Sequence, residues 1–265
     1  MCTVRSVRVL IGVGVGIACG VVAIVLVFGN RGAHHATTTS PFRPPRYLFD
    51  GEFNGRAGSK PSPRVWRAKA YRAGSGTVWS GWSNISEDGK GNLVITAKKV
   101  DGAWFSGFLS GRTSYSGPHR IEVRAKVAAG AGVWNAPVWE WDYPHGARGL
   151  EDDVVEQLGR QPQTYLTTLH ANARIQRGFV NATRRTLSSG FHTYAAVVRP
   201  NRVDYYLDGK LVRSIRPRSL GGRWGFVRTR MVANISLNMG GLGGAPTVAG
   251  PVSLLVDWIR VTPLH

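Results

Sequence analysis

Gly149-Leu150-Glu151-Asp152-Asp153-Val154-Val155-Glu156 is the stretch on which the reading of this chain turns. Four of the chain's 15 acids fall within its last six positions. Glu151 and Asp153 are two apart, so on a strand they point to one face. Glu156 would fall on the opposite face of a regular strand, and one bulged residue restores it to the same face. Three carboxyls on one face repel one another and separate in pKa, as a cooperating acid and nucleophile require. An acidic loop, solvated or holding a cation, is the other reading of these residues.

The flanks on both sides read as strands. Arg120 to Val127 alternates, with Ile121, Val123, Ala125 and Val127 on one side and Arg120, Glu122, Arg124 and Lys126 on the other. Asn92 to Lys98 is a strand behind the turn Asp88-Gly89-Lys90-Gly91, and Ser106 to Thr113 and Leu166 to His170 are strand candidates. An irregular basic loop is expected from there to Arg185. Tyr194 to Val198 and Arg202 to Leu207 flank Pro200-Asn201 as a hairpin, and Asp208-Gly209 turns into Lys210 to Ile215. Met231 to Met239 and Leu254 to Val261 complete the set. Short strands at regular spacing, without long helical periodicity, predict an all-β antiparallel sandwich or barrel.

The N-terminus has a different character. Val9 to Phe28 is an unbroken run of 20 apolar and small residues, with Arg5 and Arg8 before it. That length crosses a bilayer as one helix, and the positive flank orients it. Lipoprotein processing at Cys19 is the alternative, but Gly16-Ile17-Ala18-Cys19 lacks the usual apolar residue three before the cysteine. The expected organisation is a cytoplasmic segment 1–8, a transmembrane signal anchor 9–28, a flexible linker 29–46 and an extracytoplasmic domain 47–265 at the cell surface. Cys2 and Cys19 both precede the domain, so its own core must stabilise it without a disulfide.

The formal net charge is +19, from 34 Lys and Arg against 15 Asp and Glu. Such a balance suits an anionic partner, for instance an acidic wall polymer. The basic residues are scattered, and no nucleic-acid motif accompanies them.

Several motifs then fall in order. Phe49 to Trp66 opens with Phe49-Asp50-Gly51-Glu52-Phe53-Asn54-Gly55. Arg120 to Trp139 follows, then Glu151 to Glu156 as E-x-D-x-x-E and Thr168-Leu169-His170. Phe191-His192-Thr193-Tyr194, Tyr206-Leu207-Asp208-Gly209 and Val256-Asp257-Trp258-Ile259-Arg260-Val261 complete the order. From about Tyr47 to its C-terminus the chain resembles glycoside hydrolase family sixteen, the laminarinase-like β-jelly-roll endo-glucanases.

The resemblance implies a jelly roll and a retaining mechanism. It implies Glu151 as nucleophile, Glu156 as acid and then base, and Asp153 as the hydrogen-bonding group that tunes the nucleophile. Glu151 should be ionised and Glu156 protonated near neutral pH. Trp134 and Trp139 become candidates for stacking on sugar rings, His170 for bonding a carboxylate or a sugar hydroxyl, and Arg112 for reaching the cleft. No cofactor is required for the chemistry. A structural calcium ion, common in the family, would draw on Glu52 and Asp257. Departures from the pattern are Asn135 in place of Pro, Leu150 before the first Glu, and Asp152 where an apolar residue is usual.

The expected activity is hydrolysis of a polysaccharide, foremost β-1,3-glucan, by a monomer. A transglycosylase or a hydrolase of a wall or galactan-type polymer is the alternative among enzymes. A non-catalytic carbohydrate-binding protein is the alternative outside them.

Overall fold

In the computed structural model, residues 46–145, 149–172 and 174–264 are described. The chain order of strands begins β1 (Phe49–Glu52), β2 (Trp66–Ala68), β3 (Ala70–Arg72), β4 (Val78–Ser80), β5 (Ile85–Glu87) and β6 (Leu93–Val100). It continues β7 (Ala103–Ser106), β8 (Phe108–Gly111), β9 (His119–Lys126), β10 (Val133–Asp142), β11 (Glu151–Leu158) and β12 (Thr164–Asn172). It ends β13 (Ile175–Ala182), β14 (His192–Arg199), β15 (Arg202–Leu207), β16 (Lys210–Ile215), β17 (Met231–Met239) and β18 (Val252–Pro263). Helical structure among the described residues is limited to 3₁₀ turns of three or four residues.

The strands form two sheets. One is seven-stranded, in the order β13-β12-β11-β10-β17-β8-β2. The other is eleven-stranded, with β16-β15-β14-β9-β18-β6-β7-β4-β3 as its main path, β1 on β18 and β5 on β6. Alternation explains how they pack. On β17, Met231, Ala233, Ile235, Leu237 and Met239 enter the core, and on β9 so do Ile121, Val123 and Ala125. The opposite positions of β9, Arg120, Glu122, Arg124 and Lys126, are partly exposed, as their spacing predicts. One apolar cluster joins residues of both sheets, the defining feature of a sandwich.

The hairpins follow their turn chemistry. Asp208 and Gly209 both take positive φ, 49° and 75°, between the paired Leu207 and Lys210. This is the two-residue turn that Asp-Gly favours, because its twist matches the flanking strands.

The stretch read as an irregular basic loop is instead largely strand β13, the edge of the seven-stranded sheet. Its sequence, Ile175-Gln176-Arg177-Gly178-Phe179-Val180, lacks an alternating apolar signal because most of the strand is exposed. Pairing with β12 supplies the order that its own sequence does not. The expected anchor 9–28 and linker lie outside the described residues, and among the described residues no helix is long and apolar enough to cross a membrane.

Candidate active site

The outer face of the seven-stranded sheet carries a cleft of about 400 Å³ that runs across β10, β11, β12 and β13. Trp134, Glu151, Asp153, Glu156, Thr168 and His170 line it, together with Gln176 of the edge strand. Strand β11 brings the acids there. Asp153 is opposite Thr168 and Glu156 is opposite Leu166, so two residues, Val154 and Val155, face the single Thr167. This is the bulge that the spacing requires. It lets Glu156 share a face with Glu151 and Asp153 while Val154 and Val155 stay buried in the core.

Asp153 and Glu156 have distinct partners. His170 Nε2 lies 2.9 Å from Asp153 Oδ2. Thr168 Oγ1 donates to Glu156 Oε2 at 2.7 Å, and the indole of Trp134 favours the Glu156 anion without completing a hydrogen bond. Glu151, Asp153 and His170 each bring one potential ligand atom within 4.8 Å of the others, the only such trio among the described residues. Within the trio, His170 Nε2 is engaged by Asp153 Oδ2.

Burial dominates the proton affinities. It pushes Glu151 up to about 8, helped by the charge of Asp153 and opposed by His170. Burial, then Glu156 and Asp152, holds Asp153 well above the usual carboxylate range. Burial raises Glu156 as well, against the bond from Thr168 and the charge of His170. The expected division, with Glu151 ionised and Glu156 protonated, is therefore not built into the free site. All three shift upward because desolvation acts on each of them.

Behind the cleft, Asp152 points into the sandwich and is fully buried. Tyr205 Oη donates to its Oδ1 at 2.7 Å, while Oδ2 has no partner within the protein. Across β10, its neighbour Glu140 accepts from Tyr115 Oη at 2.8 Å and contacts His119 Nε2 at 3.1 Å. Burial works against charge on His119, yet Glu140 outweighs it and raises that imidazole's pKa. The acid unexplained by sequence thus belongs to a polar cluster in the core.

Other expected site residues go elsewhere. Trp139 is 7 % exposed and packs with Phe108 and Trp141 at ring separations of 5.1 and 4.9 Å. Trp79 and Ala73 join that cluster, so Trp139 is a packing residue and offers no face to a sugar. Arg112 does not line the acidic cleft; its Nε donates to the carbonyls of Pro63 and Trp66 at 2.6 and 3.2 Å. Glu52 pairs with Arg260 and Asp257 with Arg124. Each carboxylate is already neutralised by a guanidinium, so this pair does not fit a calcium site. Gln176 escaped sequence reading because its strand did, and Leu242, also at the cleft, lies in a Gly-rich turn with no distinguishing signal.

An antiparallel β-sandwich with an acid-lined cleft across one sheet defines the class of the protein. The family "Glycosyl hydrolases family 16" matches residues 74–260, and the chain belongs to that family. It is 29 % identical over 189 residues to an endo-1,3-1,4-β-glycanase (EglC) of Rhizobium meliloti, covering 66 % of this chain and 38 % of that protein. The chain thus spans well under half of that relative's length. A β-glucanase of Rhodothermus marinus is 27 % identical, over 54 % of this chain and 56 % of its own. Among solved structures, an endo-β-1,3-glucanase from Pyrococcus furiosus superposes with a TM-score of 0.72 at 22 % identity, covering 83 % of this chain and 95 % of that one. A Mycobacterium tuberculosis protein, described as an immunostimulatory antigen and pseudo β-1,3-glucanase, gives 0.70 at 26 % identity, over 83 % and 99 %.

Proposed function

We propose that the chain is a retaining endo-β-glucanase that hydrolyses a β-1,3-linked glucan. The observation that carries this reading is the bulge between Asp153 and Glu156, which gathers Glu151, Asp153 and Glu156 in one cleft. Glu151 attacks the anomeric carbon while Glu156 protonates the departing glycosidic oxygen. Glu156 then takes a proton from water, and that water displaces Glu151 from the sugar with net retention. Asp153, held by His170, sets the charge on Glu151. Trp134 supplies a flat apolar wall for a pyranose ring. No metal or organic cofactor enters these steps. The 20-residue apolar run 9–28 tethers the domain to the outer surface of a membrane, and the domain acts as a monomer.

The names of the relatives support hydrolysis of β-glucan. The pseudo-glucanase among the structural neighbours supports a second reading, a protein that binds glucan without cutting it. Reducing-sugar release from laminarin and mixed-linkage glucan separates the two, measured beside Glu151→Gln and Glu156→Gln. Release that both substitutions abolish is expected. Binding without release by the parent protein would favour the second reading, and release unaffected by either substitution would sink the assigned roles.

A further inference from the structure

One row of paired residues crosses five strands of the seven-stranded sheet through the candidate nucleophile. Val232 pairs with Trp141, Trp141 with Glu151, Glu151 with His170, and His170 with Gln176. Directly paired residues share a face, so the row marks a straight path over the sheet. Five strands at the usual spacing extend about 19 Å, enough to carry several sugar units across Glu151.

One end of this row opens into a basic pocket. Val232 and Trp141 line a cavity of about 290 Å³ that also contains Arg67, Lys69 and Arg112. Lys69 Nζ lies 5.9 Å from the Trp141 ring centroid. Asp142, the acid in this cavity, is contacted by His145 Nδ1 at 3.1 Å. At the other end the path stops at Gln176: the cavity of about 270 Å³ beyond it turns around the sheet edge, since Arg177 pairs with the core residue Leu169 and so faces away from the cleft. Arg120, Arg124, Arg199, Arg202 and Arg260 each have an acidic partner. In the pocket at Trp141, the described side chains of Arg67 and Lys69 make neither an ion pair nor a hydrogen bond. Burial and the charge of Arg67 already press Lys69 toward its neutral form, the condition of a cation lacking an anion.

We propose that this pocket binds an anionic substituent, carboxylate or sulfate, on a sugar to one side of the cleavage point, so that the preferred substrate is an acidic β-glucan. The proposal rests on the glucanase reading and specifies its substrate class. Guanidinium forks match such groups bidentately, and an indole beside an ammonium accepts the sugar face next to them. The three carboxyls at the centre repel anions, so the sugar being cut is uncharged and the charged one lies at the Trp141 flank.

The test compares kcat/KM of the full chain on β-1,3-glucan, on the same glucan sparsely carboxymethylated, and on the same glucan sparsely sulfated, at fixed ionic strength. A preference of about tenfold for an acidic polymer is expected, the equivalent of one net charge-assisted contact. The two acidic arms report which group is read. Replacing Arg67 and Lys69 together by Gln should bring the acidic-to-neutral ratio toward one, mainly through KM. Lys90→Gln and Lys99→Gln together make the same charge change on exposed residues outside this pocket and should leave the ratio intact. Equal loss in both double variants, or no preference in the parent, would overturn the proposal. If no polymer is cut, the hydrolase reading fails by itself. Retardation of the Glu156→Gln protein in gels containing each polymer then decides the pocket: retardation by the acidic polymer that depends on Arg67 and Lys69 upholds it, and its absence rejects it.

Discussion

The hydroxyl of Tyr205 on β15 donates a 2.7 Å hydrogen bond to Asp152 on β11, joining the two sheets behind the acidic cleft. The other oxygen of Asp152 is buried without a partner, and burial, then the charge of Glu140, raises the pKa of this acid well above normal. Tyr205→Phe should destabilise the fold by about 1–3 kcal/mol, the cost of leaving the remaining buried group unsatisfied. Asp152→Asn, which imitates the neutral acid, should cost less. Urea denaturation of the two variants gives the order.

The same acid makes stability depend on pH. The folded state holds its proton at pH values where the unfolded chain has lost it. Its contribution is therefore full below the unfolded carboxyl pKa, about 4, and falls as pH rises toward the raised folded value. His119 acts in the same direction over a higher window: its pair with Glu140 contributes fully below about 6.5 and is lost as pH rises through the raised folded pKa. The Asp152→Asn protein should show a flatter stability profile between pH 4 and 6 than the parent. His119→Ala should cost about 3–5 kcal/mol at pH 6 by stranding the Glu140 charge in the core.

Hydrolysis needs Glu151 as the anion. With its pKa at about 8 in the free site, kcat/KM should still be rising with pH well past the ordinary carboxylate range. Asp153→Asn removes the like charge beside Glu151 and should move that acidic limb to lower pH, whatever its effect on the maximum. A limb left near pH 4 in the parent would contradict this electrostatic picture.

Thr168 holds Glu156 down by a bond to its anion. Thr168→Val should raise the Glu156 pKa, shift the basic limb of the rate profile upward and reduce the maximum by about tenfold, the loss of one charge-assisted bond. The variant should also lose about 1–3 kcal/mol of stability, because the buried Glu156 carboxyl is left without its donor.

The two tryptophans should separate cleanly. Trp134→Ala should raise KM for glucan by about tenfold, as expected for a lost stacking contact of 0.5–1.5 kcal/mol plus buried area. Trp139→Ala should instead cost about 3–5 kcal/mol of stability through the cavity it leaves among Phe108, Trp141 and Trp79. Steady-state kinetics and denaturation on the same preparations decide it.

Asp152 and Trp139 mark the boundary of what residue order can tell. The sequence by itself determined the all-β architecture, through period-two alternation in segments such as Ile121 to Val127 and turn residues such as Asp208-Gly209. The spacing of Glu151, Asp153 and Glu156 also made a bulge the condition for a shared face. Those signals are local, because side-chain alternation and turn geometry are properties of a few consecutive residues. Only the tertiary structure decided whether the bulge exists, since it depends on Thr167 of β12 standing opposite both Val154 and Val155. Only it placed Trp139 in an aromatic cluster, made a strand of Ile175–Ala182, and gave Asp152 a partner 53 residues away. Register between strands and the contents of a core are set by residues distant in sequence, so desolvation, and with it the proton affinity of every acid in the cleft, becomes defined only when the two sheets close.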